Sequence, residues 1–335
     1  GLYALIFTSS MLAILHKASM VWIALLGICR PEGIFLVPIA FVLCSYDTKR
    51  WKENAWVFLP MGVWLLFRAM YYGEILPNTY YAKVSTAFGG QLLAGFWYAS
   101  WLIPSIVIGF FTDTTHRKIW ILPLSLLLII IGGGGDWMWH GRLLVPVYIV
   151  LWACGSSLVG WRKLLCCLPL CVFWIPLPAL SKIVQGERMP ERAYQEGSLV
   201  STSQQVAEMI STKVDKGALI AVNHAGALPY FLEEYFFVDM TGLNDHYIAR
   251  LEGGLHNKYD ADYIVRRAPD LVVLNSFSNP ATEGFIADYW EGETALYDSP
   301  QFKEQYVAIA QYWERLRTGG GKAYIVLFQR RRSEY

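Results

Sequence analysis

A carboxylate, an imidazole and a guanidinium stand close together at Asp136, His140 and Arg142, directly after four glycines (Gly132 to Gly135) and interleaved with Trp137 and Trp139. Apolar runs lie on both sides of this stretch. Such a set could take a proton from a hydroxyl, hold a phosphate and cover a sugar face with a ring. Two other short segments repeat the pattern of an acid with a cation among breakers and aromatics. One is Arg30-Pro31-Glu32-Gly33; the other runs from Tyr71 to Lys83, carries Glu74, Asn78 and Lys83, and follows Arg68. The plain alternative for each is an ion pair at a membrane boundary, Arg30 with Glu32 and Glu74 with Lys83, with no chemistry.

These segments need a scaffold, and the composition suggests one. Of 335 residues 55% are hydrophobic and only 16% charged, where a soluble chain carries about a quarter. The long apolar runs fall almost entirely before residue 182, at about residues 1–15, 18–29, 34–45, 54–70, 91–111, 119–133, 143–160 and 164–181. A span needs roughly 20 residues, so the expectation is a polytopic α-helical membrane bundle of about eight spans over residues 1–181. Basic residues gather in alternate loops, at Lys17, Lys49-Arg50, Arg117-Lys118 and Arg162-Lys163. The positive-inside rule makes those loops cytoplasmic. The three acid-and-cation loops, and everything from residue 182 to 335, are then expected outside a bacterial inner membrane. All six cysteines lie in apolar runs, which argues against a disulfide framework in the later part. The net charge of +1 gives no reason to expect a nucleic-acid partner.

Residues 182–335 read as an α/β domain. Thr202 and Gln205 have capping-box spacing, Val206, Met209, Ile210 and Val214 recur at helical period, and short apolar strands are expected at Ala218–Val222, Phe236–Asp239, Leu271–Leu274 and Ala323–Phe328. Ligands of open α/β sheets favour the carboxyl ends of strands. That makes His224, Asp239 and Asp245 candidate acceptor-binding residues, together with His246 and Arg250. Solvated turn residues are the plain alternative. His224, His246 and His256 lack zinc-ligand spacing, and no glycine-rich turn after the first strand supports a methyltransferase.

Arg30-Pro31-Glu32-Gly33, Tyr71-Tyr72-Gly73 with Leu76-Pro77-Asn78-Thr79-Tyr80-Tyr81-Ala82-Lys83, and Gly134-Gly135-Asp136 followed by Arg142 to Pro146 resemble the GT-C glycosyltransferases, in particular the terminal arabinofuranosyltransferases of mycobacterial cell-wall synthesis. The resemblance implies a GT-C-like membrane bundle, a polyprenyl-phosphate-linked sugar as donor and an envelope glycan as acceptor. It also implies a catalytic Asp in a first outer loop, upstream of where this sequence starts. Asp136 and Glu32 remain the carboxylates at hand. Arg30, Arg68, Glu74, Asn78, Lys83, His140 and Arg142 are the expected partners of phosphate and sugar. The outer loops hold no Asp-x-Asp pair, so a divalent metal is not indicated. The other class to weigh is a non-enzymatic membrane protein that binds or exports a polysaccharide.

Overall fold

The computed structural model describes residues 2–16, 19–45, 48–84, 88–100, 102–112, 117–135, 143–155, 189–254, 256–316 and 321–331. Asp136, His140 and Arg142, the Lys17 and Arg162-Lys163 loops and the last apolar segment lie outside them. The chain divides into two compact units. The first comprises Gly1–Pro77 and Ala87–Leu177, the second Asn78–Thr86 and Pro178–Tyr335.

The first unit is helical, and its helices are short: Leu2–His16, Val21–Cys29, Gly33–Cys44, Phe58–Tyr72, Phe88–Ala99, Ile103–Thr112, Ile121–Gly132 and Val145–Gly155. The longest of these have 15 residues, about 22 Å at 1.5 Å per residue, against roughly 30 Å of hydrocarbon. The turn over Arg30 to Glu32 separates two short helices, as the apolar runs 18–29 and 34–45 suggest, and the break between Ala99 and Ile103 splits the run expected over 91–111. Among the described residues, one helical stretch is long and apolar enough to cross a membrane, Lys49–Tyr72 with 24 residues. The expected polytopic bundle of about eight spans is therefore not found among the described residues. The alternation of inner and outer loops that rested on those spans loses its support with it.

The helices of this unit meet at close range. Phe7, Ile23, Leu26, Leu36, Trp120 and Leu126 belong to one buried cluster. A methyl at Gly33 would stand 2.2 Å from the Leu26 carbonyl oxygen, and one at Gly95 would stand 2.2 Å from that of Ile131. Only hydrogen fits at either place. Phe58–Tyr72 differs, because none of its residues is buried and Met70 is 78% exposed.

The second unit is built on a five-stranded sheet: β1 (Leu219–Val222), β2 (Phe236–Asp239), β3 (Leu271–Ser276), β4 (Tyr306–Leu316) and β5 (Lys322–Arg330), in the order β2-β1-β3-β5-β4. β1 runs parallel to both neighbours, with Val222 opposite Asp239 and Ile220 opposite Leu271. β5 and β4 continue antiparallel, and a register shift falls between Ala308 and Tyr312 of β4. Every residue of β3 is buried, as expected of a strand covered on both faces. Val206, Ala207 and Ile210 of the helix Met189–Lys213 pack with Val222, Val273 and Leu327 on one face. Ile264, Leu296 and Phe302 pack with Val272, Leu274 and Phe328 on the other.

Two local features differ from expectation. The first helix begins at Met189, so Thr202 is an interior residue and no cap; its hydroxyl donates to the Glu314 carbonyl at 3.3 Å. The sequence reading also has no strand at β4, whose edge position and bulge weaken the alternation that marks a strand.

The short helix Asn78–Lys83 belongs to the second unit and packs on the turn Ile248–Arg250. The Asn78 amide donates to the carbonyls of Gly242 (2.9 Å), Asp245 (3.1 Å) and Leu243 (3.2 Å), and its oxygen accepts from the Arg250 guanidinium at 3.1 Å. That guanidinium lies 4.2 Å from the centre of the Tyr81 ring. The Lys258 ammonium donates to the carbonyls of Tyr81 (2.7 Å) and Ala249 (2.9 Å). Removing one partner leaves several carbonyls without a donor, at about 1–3 kcal/mol for each buried group. Asn78→Ala is therefore expected to speed amide exchange over residues 242–250 by about tenfold or more. Unchanged exchange rates there would show that this amide does not hold the loop.

Candidate functional site

The carboxyl ends of the parallel strands gather the polar groups of the second unit. From β1 the chain goes to β2 on one side, then returns past β1 to β3 on the other. The crevice between the ends of β1 and β3 is the switch point where open α/β sheets take ligands. Asn223 follows β1 directly, and Asn275 is the penultimate residue of β3. Between them comes Glu293, carried by the helix Glu291–Asp298.

Glu293 is 1% exposed and its carboxylate is held by this chain's own amides. Its Oε1 accepts from the side-chain amides of Asn223 and Asn275, the latter at 2.8 Å, and its Oε2 accepts from the Asn275 backbone N–H at 2.8 Å. Burial pushes its pKa up to about 7, against the opposing pull of the asparagine donors and the Arg315 guanidinium. Arg315, on β4, donates to the Tyr289 hydroxyl at 2.6 Å and lies 5.2 Å from that ring's centre.

Aromatic rings cover the crevice. Trp290 packs against His256 (centres 4.8 Å apart, 15° between planes) and against His224 at 5.2 Å, and Tyr289 meets His224 edge-on. Dense surroundings push His224 far below the ordinary imidazole range, then Arg315 and His256 push it further, although part of the ring still reaches the surface. Burial also lowers His256. Both rings are therefore neutral at pH 7. A narrow cleft with ≈ 20 Å³ of free space, room for about one water, is lined by Asn223, Thr241, His256, Lys258 and Trp290 among others. A second, smaller hollow of ≈ 10 Å³ lies toward the helix Met189–Lys213 and includes Asn223, His224 and Asn275. Asn223 thus borders both.

The residues singled out from the sequence fall into separate places. His224 and Asp239 both sit at the carboxyl edge of the sheet. Asp239, however, spends its oxygens on its own loop: Oδ1 accepts from the Thr241 N–H (2.9 Å) and hydroxyl (2.6 Å), and Oδ2 from the Asn244 N–H (2.8 Å). Asp245 likewise accepts from the N–H groups of Tyr247 and Ile248 and from the Tyr263 hydroxyl. Asn78 and Lys83 belong to the second unit, where Asn78 ties the loop after β2. Arg30, Glu32, Arg68 and Glu74 belong to the first. There Arg30 and Glu32 form a two-pronged ion pair at 2.8 and 3.0 Å, and Arg68 donates to the Ile75 carbonyl at 2.6 Å. His224 and His256 both pack on one indole, and among the described residues no three His, Cys, Asp or Glu are grouped to hold a metal ion.

Glu293, Asn275, Trp290 and Arg315 escaped the sequence reading. Glu293 sits in a run with Glu291 at the start of a helix, where a carboxylate is ordinarily a solvated favourable charge. Only tertiary burial distinguishes it.

The raised pKa has a signed consequence for stability. An unfolded Glu293 ionises near 4.5 and the folded one near 7. The folded state therefore holds the extra proton between those values. Its contribution is complete below about pH 4.5 and lost as pH rises through about 7, a swing of ~3 kcal/mol at most. His224, shifted the opposite way, contributes with the opposite sign at lower pH, so the informative quantity is a difference. The unfolding free energy of wild type minus that of Glu293→Gln is expected to fall across this window, and a flat difference would refute the raised pKa.

Comparison with known proteins adds a family match for the second unit. A family described as Domain of unknown function (DUF8728) matches residues 189–328, which run from the helix Met189–Lys213 into β5. No curated protein matches the chain. No solved structure matches it either.

Proposed function

We propose that this chain acts in glycosyl transfer, from a polyprenyl-phosphate-linked sugar to an envelope glycan, and that the carboxyl-end cleft of the second unit holds a saccharide. The observation that carries the reading is the Asn223–Glu293–Asn275 bridge beside the Trp290 and His256 rings. Saccharides present apolar faces that pack on rings and hydroxyls that both donate and accept. An asparagine amide serves such hydroxyls in either sense. Asn223 lines the cleft while its own amide group is fixed by Glu293, so it is pre-set for a ligand at little cost in side-chain entropy. Glu293 itself is closed off from solvent and works as a positioning residue for Asn223. The donor named here follows from the Pro77-Asn78-Thr79 to Lys83 resemblance, and it makes the reading specific enough to test.

A second reading is favoured by one feature of the same bridge. Both Glu293 oxygens are taken by amides of the chain, an arrangement suited to a rigid glycan-binding wall without chemistry. Incubating the full chain, reconstituted in liposomes, with radiolabelled polyprenyl-phosphate sugar and envelope glycan separates the two. Glycosidic product is expected from wild type, and Asn223→Ala should reduce its rate by about tenfold or more, the effect of losing a buried hydrogen-bonding contact. Glycan retained without any labelled product would establish the binding reading and end the transferase one.

A further inference from the structure

The lining of the Asn223–Trp290 cleft includes a cation that the sugar reading alone does not use. Lys258 lines that cleft and is 5% exposed. An ammonium has three donors. Two are spent on the carbonyls of Tyr81 and Ala249, and among the described residues no carboxylate pairs with this ammonium. Asp260, which shares the cleft wall, is already engaged by the Tyr247 hydroxyl, the Tyr263 N–H and Arg266. Burial lowers the Lys258 pKa with no acidic neighbour to offset it. A buried cation without a counter-charge is costly, and a chain that keeps one at the wall of a cleft gains when an occupant brings the missing charge. The rest of the wall has two other characters. Trp290 and His256 line it with a stacked pair of rings, and Asn223 and Thr241 add polar groups for hydroxyls.

Resting on the carbohydrate reading above, we propose that the cleft takes the anionic group of an acidic saccharide, its oxyanion on the Lys258 ammonium and its sugar ring at the mouth beside Trp290 and His256. The charge could belong to a uronic-acid carboxylate in the acceptor or to a phosphate on a sugar. The chemistry at Lys258 is the same for both: a charge-assisted hydrogen bond in a dry site, about twice as strong as a neutral one.

The test is calorimetric titration of the full chain at pH 7 with three probes: glucuronosyl-glucose, its neutral counterpart cellobiose, and glucose 1-phosphate. Wild type is expected to bind an acidic probe about tenfold or more tightly than cellobiose. Lys258→Gln, which keeps donors for the two carbonyls and removes the charge, should abolish that preference, and Lys258→Arg should retain part of it. Because a change at Lys258 can loosen the Asn78–Lys83 helix, the wild-type protein supplies a second readout. Raising salt from about 0.05 to 0.5 M should weaken the acidic probe severalfold and leave cellobiose unchanged. Preference for glucuronosyl-glucose assigns the charge to a carboxylate, and preference for glucose 1-phosphate assigns it to a phosphate. Equal affinity for neutral and acidic probes, or a preference that survives Lys258→Gln, overturns the inference and leaves the carbohydrate reading standing. Binding of none of the three removes both.

Discussion

The second unit depends on one buried carboxyl group and what satisfies it. Glu293 brings an ionisable group into a space almost closed to water, where an uncompensated charge is prohibitively expensive. Three amide donors from two asparagines answer it, one asparagine following β1 and the other ending β3. β1 and β3 pair directly through Ile220–Leu271 and Ala221–Val272, and the carboxyl extends that tie beyond the paired residues to the strand ends. Loss of either asparagine would leave Glu293 short of donors, and loss of Glu293 would leave the amides short of an acceptor. The geometry of the crevice is thus held by mutual need, and its shape is set before any occupant arrives.

The other fixed point is remote in sequence. Asn78 reaches the carbonyls of Gly242 and Asp245 across 164 and 167 positions of chain, and Lys258 closes the same contact from the other side. Gly242, at φ +76°, is where the loop turns back on itself, and a methyl there would lie 2.8 Å from the Ala249 nitrogen. The loop after β2 is therefore pinned by its own aspartates from within and by the Asn78–Lys83 helix from without. The cleft wall formed by Thr241, Ile248 and Lys258 inherits its position from both.

What could be read from the sequence follows from which forces are local. β1, β3 and β5 stand out as short apolar runs bounded by breakers, because well-buried strands need little else, and β2, an edge strand too, is short, apolar and free of a bulge. β4 does not, since an edge strand with a bulge mixes its faces. The run of apolar segments before residue 182 suggested spans because hydropathy measures composition, whereas span length depends on where each helix stops. The break before Ile103 splits one such segment, and the helices on either side of Pro31 have only 9 and 12 residues. The motif from Pro77 to Lys83 was legible as special, but its use was not. Its amide and aromatic groups bind backbone carbonyls and a guanidinium of the second unit, partners far off in the chain. Asp239 and Asp245 were found at the strand ends for a sound topological reason, yet their oxygens serve the turn.

Glu293 and Lys258 face the same physical penalty with opposite charge, and the outcome differs because of their partners. Both are almost wholly buried, and burial drives each toward its neutral form, the carboxyl upward and the ammonium downward. Glu293 has three donors supplied by the chain, and with them its bonding is complete. Lys258 has two carbonyls and a third donor left over. A fold that satisfies one buried ionisable group in full and leaves the other short by one acceptor places its affinity on the second group. Asn223, gripped by Glu293, sets the shape of the cleft, and Lys258 sets the charge that the occupant must carry.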